Sequence, residues 1–83
     1  MQITLKLYAS LGVYLPSHAK RNEASVEVAE GTTILEVLDR YQVPRASCHL
    51  VLRNGIFQPP ASRAQVRLAP GDAIAVWPPV AGG

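Results

Sequence analysis

The residues with the most chemical potential stand at the end of the chain, where Gly82-Gly83 follows Trp77-Pro78-Pro79-Val80-Ala81. Glycine has no Cβ, so a Gly-Gly segment can thread a narrow channel and bring a carboxylate against another enzyme's catalytic groups. Pro78 and Pro79 lack the N–H donors that continue a strand and steer the preceding apolar run away as an extended tail. An extended proline pair also loses little entropy when a partner orders it. Val80 offers a modest apolar anchor, and Trp77 a large aromatic one of the kind that dominates interfaces. On this reading the functional group is the Gly83 carboxylate, presented through Gly82, Ala81, Val80, Pro79 and Pro78, with Trp77 as a partner contact. The plain alternatives are a frayed glycine-rich end and a ring that merely shields a sheet.

Other reactive side chains are sparse. Cys48 has no cluster to activate its thiol and reads as a small core residue rather than a persulfide relay. His18 and His49 are isolated, with no Cys or carboxylate at ligand spacing, so no metal site is expected. Lys20-Arg21 could meet an acidic patch, although a solvated loop is the default for such a pair. Glu36 and Asp39 lie on an outward helical face and make no catalytic pair. Nothing resembles a nucleophile–base constellation, so intrinsic enzymatic activity is not expected.

A chain of 83 residues holds one domain, which buries only about 60% of the surface its unfolded form exposes. With 17% charged residues and a net charge of +2, it shows neither the polarity of a disordered tail nor the basic stripe of a nucleic-acid binder. The single cysteine fits a reducing compartment. No apolar run approaches the ~20 residues of a membrane span, and the N-terminus alternates rather than running apolar like a signal peptide. These features predict a cytoplasmic protein without membrane partners.

The elements that must position the tail follow from periodicity. Ile3, Leu5 and Leu7 alternate with polar neighbours, as do Val26 and Val28, giving two half-buried strands separated by a loop from Ala9 to Ala24. Thr33 and Glu36 have the spacing of a capping box. The helix they open carries Ile34, Leu35, Leu38 and Tyr41 on its inner face, and Pro44 ends it after about three turns. Residues 48–53 form a third strand with Leu50 and Leu52 inward. Asn54-Gly55 makes a type I′ hairpin turn into a short return strand, Ile56-Phe57-Gln58. Val66 to Leu68 forms a brief strand or turn, Pro70-Gly71-Asp72 a tight turn, and Ala73 to Trp77 the last strand. The fold class is α+β: a mixed sheet of four to five strands with one main helix on one face. Residues 1–77 form the domain and 78–83 the tail.

These residues resemble the β-grasp (ubiquitin-like) sulfur carriers. The shared features are Leu7-Tyr8-Ala9 closing the first strand, Gly31-Thr32-Thr33 opening the helix, and the strand into Asn54-Gly55. The Leu-x-x-Gly-Asp turn of Leu68 to Asp72 and the Pro-Pro-Val-x-Gly-Gly ending of Pro78 to Gly83 complete the pattern. The ending is the most specific, and it is most similar to the MoaD-like small subunit of molybdopterin synthase; ThiS-like carriers of the thiamin pathway are relatives that generally lack the Pro-Pro. The Ser10–Ala24 and Pro59–Gln65 segments carry no family hallmark, and Ala73 stands where the family often has an acidic residue.

The resemblance implies a substrate rather than a catalyst. An E1-like (MoeB/ThiF-type) adenylating enzyme would use ATP and Mg²⁺ to turn the Gly83 carboxylate into an acyl-adenylate; the carrier itself would bind no cofactor. A persulfide from a cysteine desulfurase or rhodanese would displace AMP and leave a Gly83 thiocarboxylate. A MoaE-like large subunit would receive the tail and pass its sulfur to a pterin precursor. The alternatives are sulfur donation to thiamin thiazole, a ubiquitin-like modifier joined to lysines through Gly83, or a plain interaction module.

Overall fold

The computed structural model describes residues 1–80. Strands β1 (Gln2–Leu7), β2 (Glu23–Glu27), β3 (Leu50–Arg53), β4 (Ile56–Phe57) and β5 (Ala73–Trp77) form one sheet in the order β2-β1-β5-β3-β4. β1 and β5 pair in parallel at its centre, with Leu5 beside Ile74 and Leu7 beside Val76, and the other pairings are antiparallel. Helix α1 (Ile34–Arg40) and a single turn, α2 (Pro60–Arg63), complete the regular elements with two short 3-10 segments.

The helix starts where the capping box places it. Thr33 Oγ1 accepts the Glu36 N–H at 3.2 Å, and the Glu36 carboxylate accepts the Thr33 N–H at 3.0 Å. The Thr33 backbone N–H foremost, and then the Thr33 side chain, hold the Glu36 carboxyl below its ordinary range. The helix ends earlier than the sequence predicts. Gln42 takes a left-handed φ of 62°, its N–H bonds to Asp39 O, and the Val43 N–H bonds to Leu38 O at 3.0 Å. This is a Schellman stop with the buried pair Leu38 and Val43 across it, so Pro44 lies beyond a helix already closed. Val37 is buried with Ile34 and Leu38, whereas Leu35 and Tyr41 are only half-buried. In so short a helix the inner face narrows to the residues that meet the sheet.

The core lies between α1 and one face of the sheet, where Ile3, Leu5, Leu7, Val26, Ile74 and Val76 are buried. The third strand corrects the sequence reading. It spans Leu50–Arg53, and Val51 is the fully buried residue, opposite Val76, while Leu50 is 37% exposed. Three consecutive apolar residues leave the register undetermined by alternation, and pairing with β5 sets it one residue away, which exchanges the two faces.

The segment read as a loop is also more ordered. A 3-10 helix, Ala9–Tyr14, drops Leu11 into the core, and Ala24 is a buried residue within β2. Two turns of 3-10 helix are too short to show a period. Asn54 and Gly55 both have positive φ, 51° and 83°, as a type I′ turn requires. The Asn54 side chain does more than turn: it donates to Asp72 Oδ1 and accepts the Ala73 N–H, both at 2.9 Å, tying the hairpin to the start of β5.

Candidate functional site

The tail leaves the sheet from a root fixed on both sides. Tyr8, just past β1, donates its N–H to Val76 O, and His49, just before β3, donates its N–H to Trp77 O, each at 3.1 Å. The Trp77 ring, half-buried, stacks on the Tyr8 ring with centroids 4.4 Å apart and planes 4° from parallel. Such a pair contributes about 0.5–1.5 kcal/mol beyond its buried area. Because Ile74 and Val76 point into the core, Trp77 falls on the opposite, uncovered face. Pro78 is half-buried against the root, and Pro79 and Val80 are exposed. Ala81, Gly82 and Gly83 lie outside the described residues.

The same face carries an apolar strip away from the root. Leu50 pairs with Trp77, and Leu52 pairs with both Ala75 and Phe57. Leu52 is half-buried and Phe57 is 52% exposed. Sequence alternation assigned Leu50 and Leu52 to the core; with Val51 there instead, they join Tyr8 and Trp77 on the open face. The strip is apolar at its centre and anchored by two aromatic rings, the composition of a protein-binding surface rather than of a solvent-facing sheet.

A second support has no signature in the sequence. Arg63, at the end of α2, is only 6% exposed. Its guanidinium donates to three backbone carbonyls: Cys48 at 2.7 Å, Gln58 at 3.0 Å and His49 at 3.3 Å. It thereby fixes the Cys48-His49 segment, whose His49 N–H holds Trp77 O. A lone arginine after Pro-Pro-Ala-Ser gives no hint of this, because its partners are carbonyls that any residue supplies.

The remaining candidates take structural positions. Cys48 is buried with its thiol donating weakly to Pro44 O, and burial pushes its pKa up against the pull of Arg63. A thiol held protonated is a poor nucleophile. His18 contacts Ser25 O at 2.9 Å along the outer edge of β2, and the His49 side chain is exposed. Asp39 pairs with Arg45 on the surface. Among the described residues no three potential ligands gather to hold a metal ion, and no helix is long and apolar enough to cross a membrane. An open cleft of about 320 Å³ borders Tyr8, lined also by Arg21, Asn22 and Glu23.

A mixed five-stranded sheet that grasps one helix, leaves its other face open and releases its last strand through a proline pair is a β-grasp domain. A sequence model of the ThiS family matches residues 15–83, and the chain belongs to that family of ubiquitin-like sulfur carriers. Among solved structures it is similar to SAMP1 from Haloferax volcanii, at 26% identity over the whole of both chains with a TM-score of 0.71. It is also similar to the Haloferax volcanii HVO 2177 protein, at 23% identity over the whole chain and 87% of that one, TM-score 0.75. A chain in the complex of subunits 1 and 2 of the molybdopterin-converting factor from Helicobacter pylori matches over both full lengths at 15% identity, TM-score 0.60. The last two likenesses attest the fold alone. No curated protein matches the chain.

Proposed function

We propose that the Gly83 carboxylate is adenylated and converted to a thiocarboxylate, and that its sulfur is donated in molybdopterin biosynthesis, with this chain as the small subunit of the synthase. A carboxylate is a poor electrophile because its charge is delocalised and its leaving group would be oxide. Adenylation by an E1-like enzyme with Mg-ATP replaces that leaving group with AMP. The terminal sulfur of a persulfide on a cysteine desulfurase or rhodanese then attacks the acyl carbon and expels AMP, giving an acyl disulfide. A second thiol cleaves its S–S bond, pairing with the donor cysteine as a disulfide and leaving the thiocarboxylate on Gly83. The chain's own contribution is presentation: an apolar face for the partner to grip and a fixed root from which Pro78 to Gly83 extend. No residue of the domain is assigned a proton-transfer or nucleophilic role.

The observation that carries this reading is the root itself. The stacked Tyr8–Trp77 pair lies on an uncovered apolar face, next to the strand end that leads into Pro78-Pro79 and Gly82-Gly83. The Helicobacter pylori chain of like fold sits in a complex of two subunits; pairing with a MoaE-like large subunit is proposed here on the Pro-Pro-Val-x-Gly-Gly ending of Pro78 to Gly83. A second reading, sulfur donation to thiamin thiazole, is favoured by the ThiS family match and opposed by the Pro-Pro before the glycines. Deleting Gly83 tests the common step. The variant should fold normally yet fail to support pyrophosphate exchange by the activating enzyme, and unchanged exchange would overturn the proposal. Supplying the pterin precursor with the large subunit, or the thiazole synthase with its substrates, then separates the two acceptors.

A further inference from the structure

The cleft beside Tyr8 borders the apolar strip and is built by the loop that leads into β2. Lys20 and Glu23 exchange backbone hydrogen bonds, Lys20 N–H to Glu23 O at 3.0 Å and Glu23 N–H to Lys20 O at 3.2 Å. Arg21 and Asn22 are therefore the two central residues of a tight hairpin loop. In such loops the first central residue needs a positive φ and is usually glycine, asparagine or aspartate. Here it is Arg21, at φ 59°. A long side chain placed where glycine would be relaxed is a local rule broken, and such breaks concentrate where the side chain serves a purpose. The loop is also tied down, since Asn22 O accepts the Leu7 N–H at 2.9 Å.

Charge gives the cleft its preference. Lys6 stands directly across the strand pair from Glu23, so those opposite charges face each other and leave Lys20 and Arg21 as surplus positive charge at this rim. Among the described residues the ion pairs join the Met1 amino group to Glu27, Arg45 to Asp39 and Arg53 to Asp72; none engages Lys6, Lys20 or Arg21. Tyr8 belongs to both surfaces: its ring stacks on Trp77, and the residue also lines the cleft. A protein that covers the Tyr8–Trp77 pair therefore passes over the cleft.

We propose that the cleft of Tyr8, Arg21, Asn22 and Glu23 is a subsite for an acidic side chain of the adenylating protein that receives the tail, with the Arg21 guanidinium as its counter-charge. This rests on the carrier reading above. An aspartate or glutamate carboxylate fits because guanidinium and carboxylate pair in a two-pronged geometry. The subsite would act mainly on encounter and specificity, as charges at the edge of an apolar contact do.

The test is the concentration dependence of adenylation, with the full chain and the E1-like enzyme of the same organism. Arg21→Gly removes the guanidinium and relaxes the loop, so it should melt no lower than the wild type. It should raise KM for the carrier about 3–10-fold at low salt, with kcat changed less than about twofold, and the difference should shrink as salt screens the contact. Arg21→Glu should raise KM further. Arg45→Gln, which removes the same charge on the helix side, should leave KM in place. Equal KM for Arg21→Gly and wild type, or an equal rise in Arg45→Gln, would overturn the subsite alone. Absence of adenylation of the wild-type chain by an enzyme active on its own carrier would overturn the carrier reading and the subsite together.

Discussion

Asp72→Ala tests how β5, the strand that ends in the tail, is anchored. Asp72 is 6% exposed. Its carboxylate accepts the Ala69 N–H at 2.8 Å, the Arg53 Nε–H at 2.9 Å and the Asn54 amide at 2.9 Å. Hydrogen bonds to a charged acceptor contribute about 1.5–3 kcal/mol each, and a donor that can regain water loses much less than one left buried. The Arg53 side chain is 31% exposed and both Asn54 and Ala69 lie at the surface, so all three donors can regain water in the variant. Three discounted bonds give a loss of about 1–3 kcal/mol near neutral pH.

The effect has a pH signature. Burial pushes the Asp72 carboxyl up, but the Ala69 N–H, the Asn54 amide and the Arg53 guanidinium outweigh it and hold the group below its ordinary range. A carboxyl depressed in the folded state adds stability above its unfolded pKa, about 3.9, and that stability is lost as pH falls through the lower folded value. Urea melts of wild type and Asp72→Ala should therefore differ by the full amount from about pH 7 down to about pH 5, and the difference should shrink steadily as pH falls below about 3.9 and through the lower folded value. A difference under about 0.5 kcal/mol at neutral pH, or one of the same size in acid, would refute the reasoning.

Three further outcomes are expected. Val51→Ala should cost about 1.5–3 kcal/mol in denaturant melts and Leu50→Ala under about 1; the reverse order would restore the register that alternation suggests. Gln42→Gly should raise stability by about 0.5–1 kcal/mol, since glycine relaxes the left-handed stop after α1; a lower melting temperature would contradict that account. Trp77→Ala should weaken binding to the activating enzyme or the large subunit by about 2 kcal/mol or more while the domain stays folded, and an unchanged titration would return Trp77 to a shielding role.

Much of the architecture is legible because each element carries its own local signal. Thr33 and Glu36 announce the helix, Asn54-Gly55 the hairpin, and the alternation of β1 and β5 their buried faces. The misses share a cause: nothing local decides them. The run Leu50-Val51-Leu52 is apolar on both faces, and only pairing with β5 makes Val51 the core residue. The 3-10 helix that buries Leu11 is too short for periodicity. Arg63 is recognised only by where its guanidinium lands, on the carbonyls of Cys48, Gln58 and His49, fifteen or fewer positions away in sequence. The aromatic half of the tail root is present in Leu7-Tyr8-Ala9 and Trp77, but their stacking depends on the parallel β1–β5 register, a long-range feature.

The most direct test of the central claim is the intact mass of the chain after incubation with the activating enzyme, Mg-ATP and a sulfur source. The carrier account predicts a mass increase equal to replacing one oxygen by sulfur, located at Gly83, absent without ATP and absent when Gly83 is deleted. An unshifted mass with an enzyme shown to be active, or a lysine-linked adduct in place of the sulfur-bearing species, would contradict it.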